Sequence, residues 1–556
     1  MGRTRRLTVV AQDPSVKVDG KILRAEVEVP EEDLHPGPRG YRVQVIDYDA
    51  STGKLYRPLA QGLDGDPFAA ANDAELIRNP AFHAQNAYAI IMRTLARFEH
   101  ALGRRVSWSF SGHQVQVAPH AFADCNAFYS KRDRALLFGY FPGREGGIVF
   151  TALSHDIVAH ETAHALLDGL RPRYTAPSSP DQAAFHEGFA DIVALLSIFS
   201  LHEVVGEALD LRAEGRSKHR IPKSMLTPAR LRESALLGLA EQMGGELAAV
   251  RGNALRRSAL LKPSSRHLSD PAFDEPHDRG EILVAAMMNA FLQVWCRRVK
   301  KIGEIEPGFV DRQRVVEDGA DLAARLLTMA IRALDYAPPT DLEFRDYLSA
   351  ILTADREIQP DDTRYGIRAA LLESFAGYGI RPTSLGDGGE PGVWERPEHE
   401  LHYDRTHFES MQRDADEVFR FVWENRNALG LCEDAYTHVE SVRPCLRIGE
   451  DGFALREMVA EYVQMITLQA DELAALGIEK PAEMDDDQEV TLHGGGALIF
   501  DEYGRLKFHV RNFILNRERQ TRRLAHLWKS GWFRKNPPKL TSFAAIHRRR
   551  AVPSHV

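Results

Sequence analysis

Residues 154–170 read SHDIVAHETAHALLDGL, and this stretch decides how the rest of the chain is interpreted. His160 and His164 stand four residues apart, and Glu161 directly follows the first of them. Ser154 is a suitable N-cap, and the small and apolar residues that follow favour a helix. Residues four apart share one helix face, so the sequence predicts two imidazoles on the same face.

Two imidazoles at this spacing can reach one zinc ion, and a neighbouring glutamate can take a proton from metal-bound water. Alone, the motif also fits two ordinary helical histidines. A second helix, predicted over residues 180–202 and beginning PDQAAFHEGFADIVALLSIF, favours the metal hypothesis, with Ser179 as its N-cap. It places Glu187 and Asp191 on one face. We predict zinc held by His160, His164 and Glu187, because two histidines and one carboxylate leave a fourth position open to water.

Two aspartates are candidates for orienting the histidine ligands. Asp191 lies one turn after Glu187 and could accept the spare N–H of a ligand histidine. Asp168, one turn after His164, could do the same from the first helix. His186 and His155 lie nearby, but neighbouring positions on a helix point apart, so we expect both to be structural.

The segments IVAHETAHALLDG and HEGFADI resemble the thermolysin-like zinc metallopeptidases, the gluzincins. The resemblance covers roughly residues 80–380 and is dense only from 125 to 195. It implies an α+β fold with a two-lobe catalytic core: a β-rich upper lobe with the active-site helices, and a mainly α-helical lower lobe. It also implies a zinc metalloendopeptidase, in which Glu161 activates the zinc-bound water.

A second part of the resemblance lies upstream, where Asn126-Ala127-Phe128-Tyr129 is followed by RALLFGYF. In the family this segment is an edge strand that binds the substrate main chain. The resemblance therefore implies substrate-binding roles for Asn126 and Ala127. Pairing along a strand edge suits a peptidase, because backbone hydrogen bonds tolerate many sequences.

The chain departs from the family where a histidine should stabilise the oxyanion. Leu283, or Ile282 in a register shifted by one, stands in its place, and His277 is the nearest substitute. Tyr174 could supply the family's catalytic hydroxyl or be an ordinary surface-loop residue. Arg256 or Arg266 could bind a substrate carbonyl, although arginines are commonly just solvated; of the two, we predict Arg256.

The departure at the oxyanion position leaves two functions open. We favour a zinc-dependent peptidase that hydrolyses peptide or protein substrates. The alternative is a zinc-binding protein of the same fold, with weak or no peptidase activity, that acts as a scaffold or binding module. Each oxyanion donor is worth a few kcal/mol, so its loss would weaken an enzyme considerably.

The composition is that of a folded protein: of 556 residues, 44% are hydrophobic and 27% charged, and the formal net charge is −9. Four scattered cysteines without a CxxC pair fit neither a disulfide scaffold nor a thiolate zinc site. The N-terminus lacks the apolar core of about 7–15 residues that a secretory signal needs. No run approaches the roughly 18 apolar residues of a spanning helix. Unless a leader has been removed, we expect a cytoplasmic protein without a membrane partner.

The charge is unevenly distributed along the chain. The last 54 residues hold 14 Lys or Arg and one acid, a net charge of +13 against −22 for the remainder. This basic tail, 503–556, could bind nucleic acid or an acidic partner, or it could cover the acidic remainder of the chain. We favour the second role.

The pattern of helices, strands and breaks predicts five regions. Within the C-terminal region (406–556), we expect helices over 406–428 and 453–475 and a hairpin over 490–510. The regions are an N-terminal β-rich hairpin region (1–80), an upper lobe with the HExxH and Glu-ligand helices (81–202), a mainly helical lower lobe (203–380), a linker (381–405) and an appended α+β domain with the basic tail (406–556).

Overall fold

The computed structural model has a mixed α+β fold, as the sequence predicts. Arg256 lies outside the residues that it describes, so its predicted role is not addressed. The described residues are 3–59, 65–143, 146–210, 219–233, 258, 260–363, 365–383, 390–397, 400–449, 452–534, 543 and 547.

The N-terminal region is built from short strands. β1 and β4 pair antiparallel, and β6 and β7 form a short hairpin, within the region predicted to be β-rich. β1 and β4 place alternate apolar side chains against the long helix that follows. The strands are β1 (Thr4–Val10), β2 (Lys17–Val18), β3 (Lys21–Ile22), β4 (Arg24–Pro30), β5 (Val43–Val45), β6 (Tyr48–Asp49) and β7 (Lys54–Leu55).

After a short helix, α1 (Asp73–Arg78), the long helix α2 spans Pro80–Leu102. The side chain of Asn79 accepts a hydrogen bond from Ala81 N at its start. Gly103 ends it in the left-handed region with φ of 67°. A Cβ at Gly103 would collide with the backbone of Leu446, so this glycine also permits a close contact between α2 and a distant strand.

A mixed sheet lies beside the first active-site helix. Its strand order is β11-β10-β8-β5, and β9 pairs antiparallel with β10. Among the strands that the structure describes, β9 pairs only with β10, so it lies at an edge of this sheet. These strands are β8 (Val115–Phe122), β9 (Ala127–Ser130), β10 (Ala135–Pro142) and β11 (Ile148–Phe150).

The middle of the chain is mainly helical. α3 and α4 pack against each other, and α4 packs against α7 and α8. A short antiparallel sheet of β12 (Arg220–Pro222), β13 (Glu304–Glu306) and β14 (Phe309–Asp311) lies among these helices. The helices are α3 (His155–Leu170), α4 (Pro180–Phe199), α5 (His202–Asp210), α6 (Pro228–Leu231), α7 (Pro276–Val299), α8 (Arg312–Arg332), α9 (Phe344–Ile358) and α10 (Ile367–Gly377).

One helix of the described part, Pro276–Val299, is long and apolar enough to cross a bilayer. Its apolar stretch is 78% buried inside the protein, and the core helices of soluble proteins pass the same test. The bent pair α4–α5 also passes when it is taken as one broken span.

The C-terminal region is dominated by a four-stranded antiparallel meander, and the helix predicted over 453–475 is wrong. Ala, Leu, Glu and Met favour a helix there, but the segment pairs along its length with a strand on each side, which overrides local propensity. The hairpin predicted over 490–510 is confirmed. The strands are β15 (Tyr436–Ile448), β16 (Ala454–Gln469), β17 (Glu489–Phe500) and β18 (Leu506–Asn512).

The single helix predicted over 406–428 is divided into three shorter ones. One more helix, carrying much of the basic sequence, follows the sheet. They are α11 (Phe408–Met411), α12 (Ala415–Glu424), α13 (Arg426–Leu429) and α14 (Arg517–Lys529).

The C-terminal sheet packs on the helical part of the chain. Apolar residues of β15–β18 join the main hydrophobic cluster, which also contains the cores of α2, α3, α4 and α7–α10. Buried polar contacts accompany the packing: Tyr336 Oη donates to Glu457 at 2.6 Å, and Arg171 pairs with Glu461. The C-terminal region therefore shares a core with the helices that carry the HExxH motif.

Basic side chains of α14 pair with acids of the helical part. Arg519 Nη2 lies 2.6 Å from Asp346 Oδ1, and Lys529 Nζ lies 2.5 Å from Asp274 Oδ2. Arg522 forms a further pair with Glu343. These contacts neutralise part of the tail's charge within the chain. Binding of nucleic acid by the tail stays a prediction.

Candidate metal centre

The HExxH motif lies on α3 as predicted. His160 Nε2 and His164 Nε2 face each other at 2.9 Å, with the two rings perpendicular. Ser154 precedes the helix, but its hydroxyl bonds to the side chain of Asp156 rather than capping a backbone amide. The helix is buried along nearly its whole length, so the two imidazoles project into the protein interior.

Glu187 on α4 faces this pair of imidazoles. Its Oε2 lies 3.6 Å from His160 Nε2, and its Oε1 lies 3.6 Å from His164 Nε2. The side chain of Ser179 caps α4 by accepting from Gln182 N, as the sequence predicts. The structure thus brings together the three residues predicted as ligands.

Asp191 contacts the far side of His160, at the position predicted for it. Its Oδ1 lies 2.9 Å from His160 Nδ1. A carboxylate accepts the Nδ1–H and leaves the lone pair on Nε2, which faces the other donors. Asp191 therefore fixes the tautomer that a metal ligand needs.

The orienting partner of His164 differs from the prediction. Its Nδ1 lies 2.8 Å from His186 Nδ1, whereas Asp168 accepts from Tyr129 Oη at 3.1 Å and from Lys131 Nζ at 3.2 Å. Asp168 is one turn beyond His164, but its side chain is committed to the segment on and just after β9. His186, expected to be structural, is the residue that contacts the ligand ring, because α4 crosses α3 there.

The other nearby histidine, His155, is fully buried, with its Nε2 3.4 Å from Ser197 Oγ. Burial lowers the pKa of His155 to about 3, so this ring stays neutral. It is not part of the donor cluster among the described residues.

His547, from the basic tail, is a fourth donor that the sequence reasoning missed. Donor atoms of His160, His164, Glu187 and His547 all lie within 4.8 Å of one another. His547 Nδ1 donates to Ala127 O at 2.9 Å, and its Nε2 lies 3.7 Å from Glu187 Oε2. The four side chains are between 0% and 8% exposed.

The donor set fits zinc. Neither carboxylate oxygen of Glu187 has a hydrogen-bond partner within the described part of the chain, although both are buried. A buried carboxylate without partners is costly, and a cation among these donors would compensate it. Imidazole nitrogens and a carboxylate oxygen are the ligands that zinc takes in proteins.

The protonation states also suit a metal. Burial lowers the pKa of His164 to about 4, so the ring is neutral near pH 7 and one of its two nitrogens carries a lone pair. Burial alone would raise the pKa of Glu187, but the neighbouring histidines, His277 first among them, outweigh it and hold that pKa well below the ordinary value. Glu187 is therefore a carboxylate.

Glu161 lies beside the donor cluster and is not one of its members. Its Oε2 accepts from Tyr129 N, on β9, at 3.0 Å. Its Oε1 lies 3.5 Å from His547 Nδ1. The backbone of the edge strand therefore orients this carboxylate.

The predicted substrate segment forms β9, and Tyr129 of that strand donates to Glu161 on α3. Ala127 is the first residue of β9, and Ala127 N donates to Asn126 Oδ1 at 2.9 Å. The carbonyl of Ala127, predicted to bind a substrate main chain, accepts from His547 instead.

His277, the predicted substitute for the oxyanion histidine, is brought to the cluster. Its Nε2 lies 3.3 Å from Glu187 Oε2, and its Nδ1 lies 2.9 Å from Glu275 Oε1. Glu275 also caps α7 by accepting from His277 N. Leu283 and Ile282 are buried within α7.

Unlike His277, neither Tyr174 nor Arg266 has a hydrogen bond or ion pair with the donor atoms among the described residues. Tyr174 is buried rather than on a surface loop, and its hydroxyl donates to Pro338 O at 2.7 Å. Arg266 is exposed. The predicted catalytic role of Tyr174 stays a prediction, although its side chain lines the adjacent cavity.

A cavity of about 620 Å³ opens beside the donor cluster. Tyr129 on β9 and Glu187 on α4 contribute to its walls, and so does the C-terminal region through His526, Trp532 and Phe543. This volume is within the usual range of ligand sites.

No protein-family model matches the chain, and no curated protein resembles it closely enough to count as a match.

Proposed function

We propose that the protein is a zinc-dependent peptidase that hydrolyses peptide bonds with a water activated by Glu161. The observation that carries the proposal is the placement of Glu161 next to three converging donors, His160, His164 and Glu187, without being one of them. A carboxylate in that place is free to move a proton.

A zinc ion at this site would lower the pKa of a bound water and polarise a substrate carbonyl. Glu161 accepts the proton of the attacking water and returns it to the nitrogen of the leaving amine. Tyr129 N holds Glu161 Oε2 during this transfer. His160, oriented by Asp191, and His164, in contact with His186, keep their Nε2 atoms directed at the same point.

His277 is the proposed oxyanion donor, because its Nε2 faces the donor cluster and Glu275 fixes its ring. A ring that donates from Nδ1 to Glu275 must be doubly protonated to donate from Nε2 as well. Tyr174 is a second candidate for this role.

We propose that the substrate is an extended peptide or protein segment bound along the outer edge of β9. Ala127 provides a backbone carbonyl there, and Asn126 directly precedes it. The cavity beside β9 offers room for the side chains that flank the scissile bond.

The two-lobe thermolysin-like arrangement is part of the same proposal. The mixed sheet with α2, α3 and α4 would be the upper lobe, and the helices from α7 to α10 the lower lobe. The position of the donor cluster between α3, α4 and the start of α7 supports this assignment.

We also propose that the protein works in the cytoplasm. Cys125, Cys296, Cys432 and Cys445 are all free, which suits a reducing compartment.

A second candidate is a zinc protein without peptidase activity. The observation that favours it is His547, because a zinc site with four protein ligands is typical of structural sites, whereas catalytic sites keep one position open. The two candidates differ in whether removal of that donor exposes an activity.

Zinc content and cleavage of a fluorogenic peptide library test the proposal. They are measured on four full-length proteins: the wild type, Glu161→Gln, His547→Ala and the double variant Glu161→Gln/His547→Ala. All four proteins should bind one equivalent of zinc. We expect Glu161→Gln to lower hydrolysis by about 10²–10⁴-fold, the usual contribution of a positioned base.

Glu479→Gln is the matched control, since Glu479 is exposed and far from α3 in the chain. It should leave hydrolysis unchanged. If Glu161→Gln proteins cleaved peptides as fast as their parents, the proposed mechanism would be wrong. If none of the four cleaved any peptide, the second candidate would replace it.

A further inference from the structure

The ring of His547 has the protonation that a metal ligand needs. Its Nδ1 donates to Ala127 O at 2.9 Å, so in the neutral ring the lone pair is on Nε2. That Nε2 is buried, has no hydrogen-bond partner among the described residues, and lies 3.7 Å from Glu187 Oε2. A cation bound at this nitrogen would compensate the cost of burying it without a donor.

Phe543 holds the same part of the tail against the site. Its ring stacks on His164, with the ring centroids 4.3 Å apart, and lies 4.9 Å from His186. It also contacts Tyr129 on β9. Two side chains of the tail, four residues apart, thus reach the same donor cluster.

These contacts occupy the groups that the proposed reaction needs. A fourth protein donor fills the position that a reactive water would take. The Ala127 carbonyl, the proposed anchor of a substrate backbone, is bonded to His547. Glu161 Oε1 faces His547 Nδ1 at 3.5 Å, where the proton of an attacking water would have to be accepted.

We propose that His547, with Phe543 beside it, is an internal inhibitor of this site and acts as a removable fourth zinc ligand. The inference rests on the proposed peptidase function and adds a regulation to it. While His547 is bound, the site is closed; when it leaves, the fourth position and the edge of β9 become available together.

The attachment of the tail explains how a single imidazole can keep the site closed. α14 is fixed to the helical part by Arg519 with Asp346 and by Lys529 with Asp274, and it ends 18 residues before His547. A ligand tethered over a short distance acts at an effective concentration in the millimolar range. A free peptide must compete with that concentration to bind.

The test uses the full chain loaded with Co²⁺ in place of zinc, because the visible spectrum of Co²⁺ reports its ligands. In the wild type, four protein ligands should give a spectrum that is constant between about pH 6 and 9. In His547→Ala, water replaces the imidazole and its ionisation near pH 7 should make the spectrum pH-dependent. His407→Ala, at a side chain 70% exposed, is the control and should match the wild type.

A chelator competition gives a second readout that does not depend on activity. His547→Ala should weaken zinc binding at least ten-fold, and Phe543→Ala should weaken it less, since it keeps the imidazole. Peptide cleavage should rise at least ten-fold in His547→Ala and fall again in the double variant with Glu161→Gln.

The outcomes separate the two proposals. If wild type and His547→Ala gave the same cobalt spectrum at every pH and the same zinc affinity, His547 would not be a ligand and the internal inhibitor would be wrong. If the spectrum and affinity changed as expected but no variant cleaved any peptide, the tail ligand would stand and the peptidase function would fall.

Discussion

Gly188 on α4 and Gly280 on α7 touch at the crossing of the two helices. A Cβ on Gly280 would lie 2.9 Å from Ala184 O and 3.0 Å from Gly188 N, closer than side-chain carbons approach backbone. Each glycine stands close to a site residue, Glu187 directly before the first and His277 three residues before the second. The close approach of the two helices at these glycines brings His277 Nε2 and Glu187 Oε2 to a distance of 3.3 Å.

Gly280→Ala should push α7 away from α4. Overpacking of this kind costs about 1–3 kcal/mol of unfolding free energy, and urea denaturation would measure it. We also expect the displaced His277 to lower kcat with zinc content preserved. Gly303→Ala is the control, because a Cβ there meets nothing within 4 Å. A variant as stable and active as wild type would show that the helix contact does not position the site.

Asp191→Asn should weaken zinc binding without removing a ligand. The carboxylate that accepts His160 Nδ1–H at 2.9 Å is replaced by an amide, which makes the ring less basic and its tautomer less certain. Loss of such a partner typically lowers metal affinity by 10–100-fold, roughly. Chelator competition measures the effect. Asp168→Asn is the comparison, since Asp168 contacts Tyr129 and Lys131 instead. Equal affinities for the two variants would contradict the assignment of Asp191.

His277→Ala should lower kcat while leaving zinc content and KM nearly unchanged. A donor that acts on the oxyanion matters most in the transition state, and removing one costs about 10²–10³-fold in kcat. The measurement is steady-state peptide cleavage in the His547→Ala background. Glu275→Gln, which weakens the partner of His277 Nδ1, should have a smaller effect in the same direction. An unchanged kcat in His277→Ala would exclude the role.

Asp335 should make stability depend on pH. Burial alone would raise its pKa, but Arg104 and Arg447 outweigh burial and hold the pKa well below the ordinary 3.8. A carboxyl group with a lowered pKa stabilises the fold above pH 3.8, and this contribution is lost as the pH falls below that value towards the lowered pKa.

Asp335→Asn should therefore destabilise the protein at pH 7, by about 3–5 kcal/mol for a broken buried ion pair. The difference from wild type should shrink as the pH falls below 3.8. Urea denaturation at several pH values measures both. Asp404→Asn, at an exposed position, should leave stability unchanged at every pH. A constant difference between wild type and Asp335→Asn across the range would show that the charge of Asp335 is not responsible.

The local part of the site follows from helix spacing. His160, His164 and Glu161 lie within one helix and Glu187 and Asp191 within another, so their relative directions are set by 3.6 residues per turn. The resemblance implied an edge strand at residues 126–129, and a strand is found there, but its hydrogen bond to Glu161 was seen only in the structure. The relative directions of side chains within one helix can be read from their spacing in the sequence.

Strand β16 shows that local helix propensity does not decide the structure of every segment. Its residues favour a helix by propensity, but pairing with β15 and β17 decides the outcome. Such pairing joins segments whose partners cannot be read from local composition.

The sequence by itself determined the two helices, the three ligand candidates, the candidate base and the partner of His160, because all are matters of spacing along a helix. Only the tertiary structure decided that His186 contacts His164 and that His547 completes the donor set. His547 lies 360 residues after Glu187 in the chain, and no periodicity spans such a distance. Its place at the site depends on how the C-terminal sheet and α14 pack on the shared core, which only the folded chain defines.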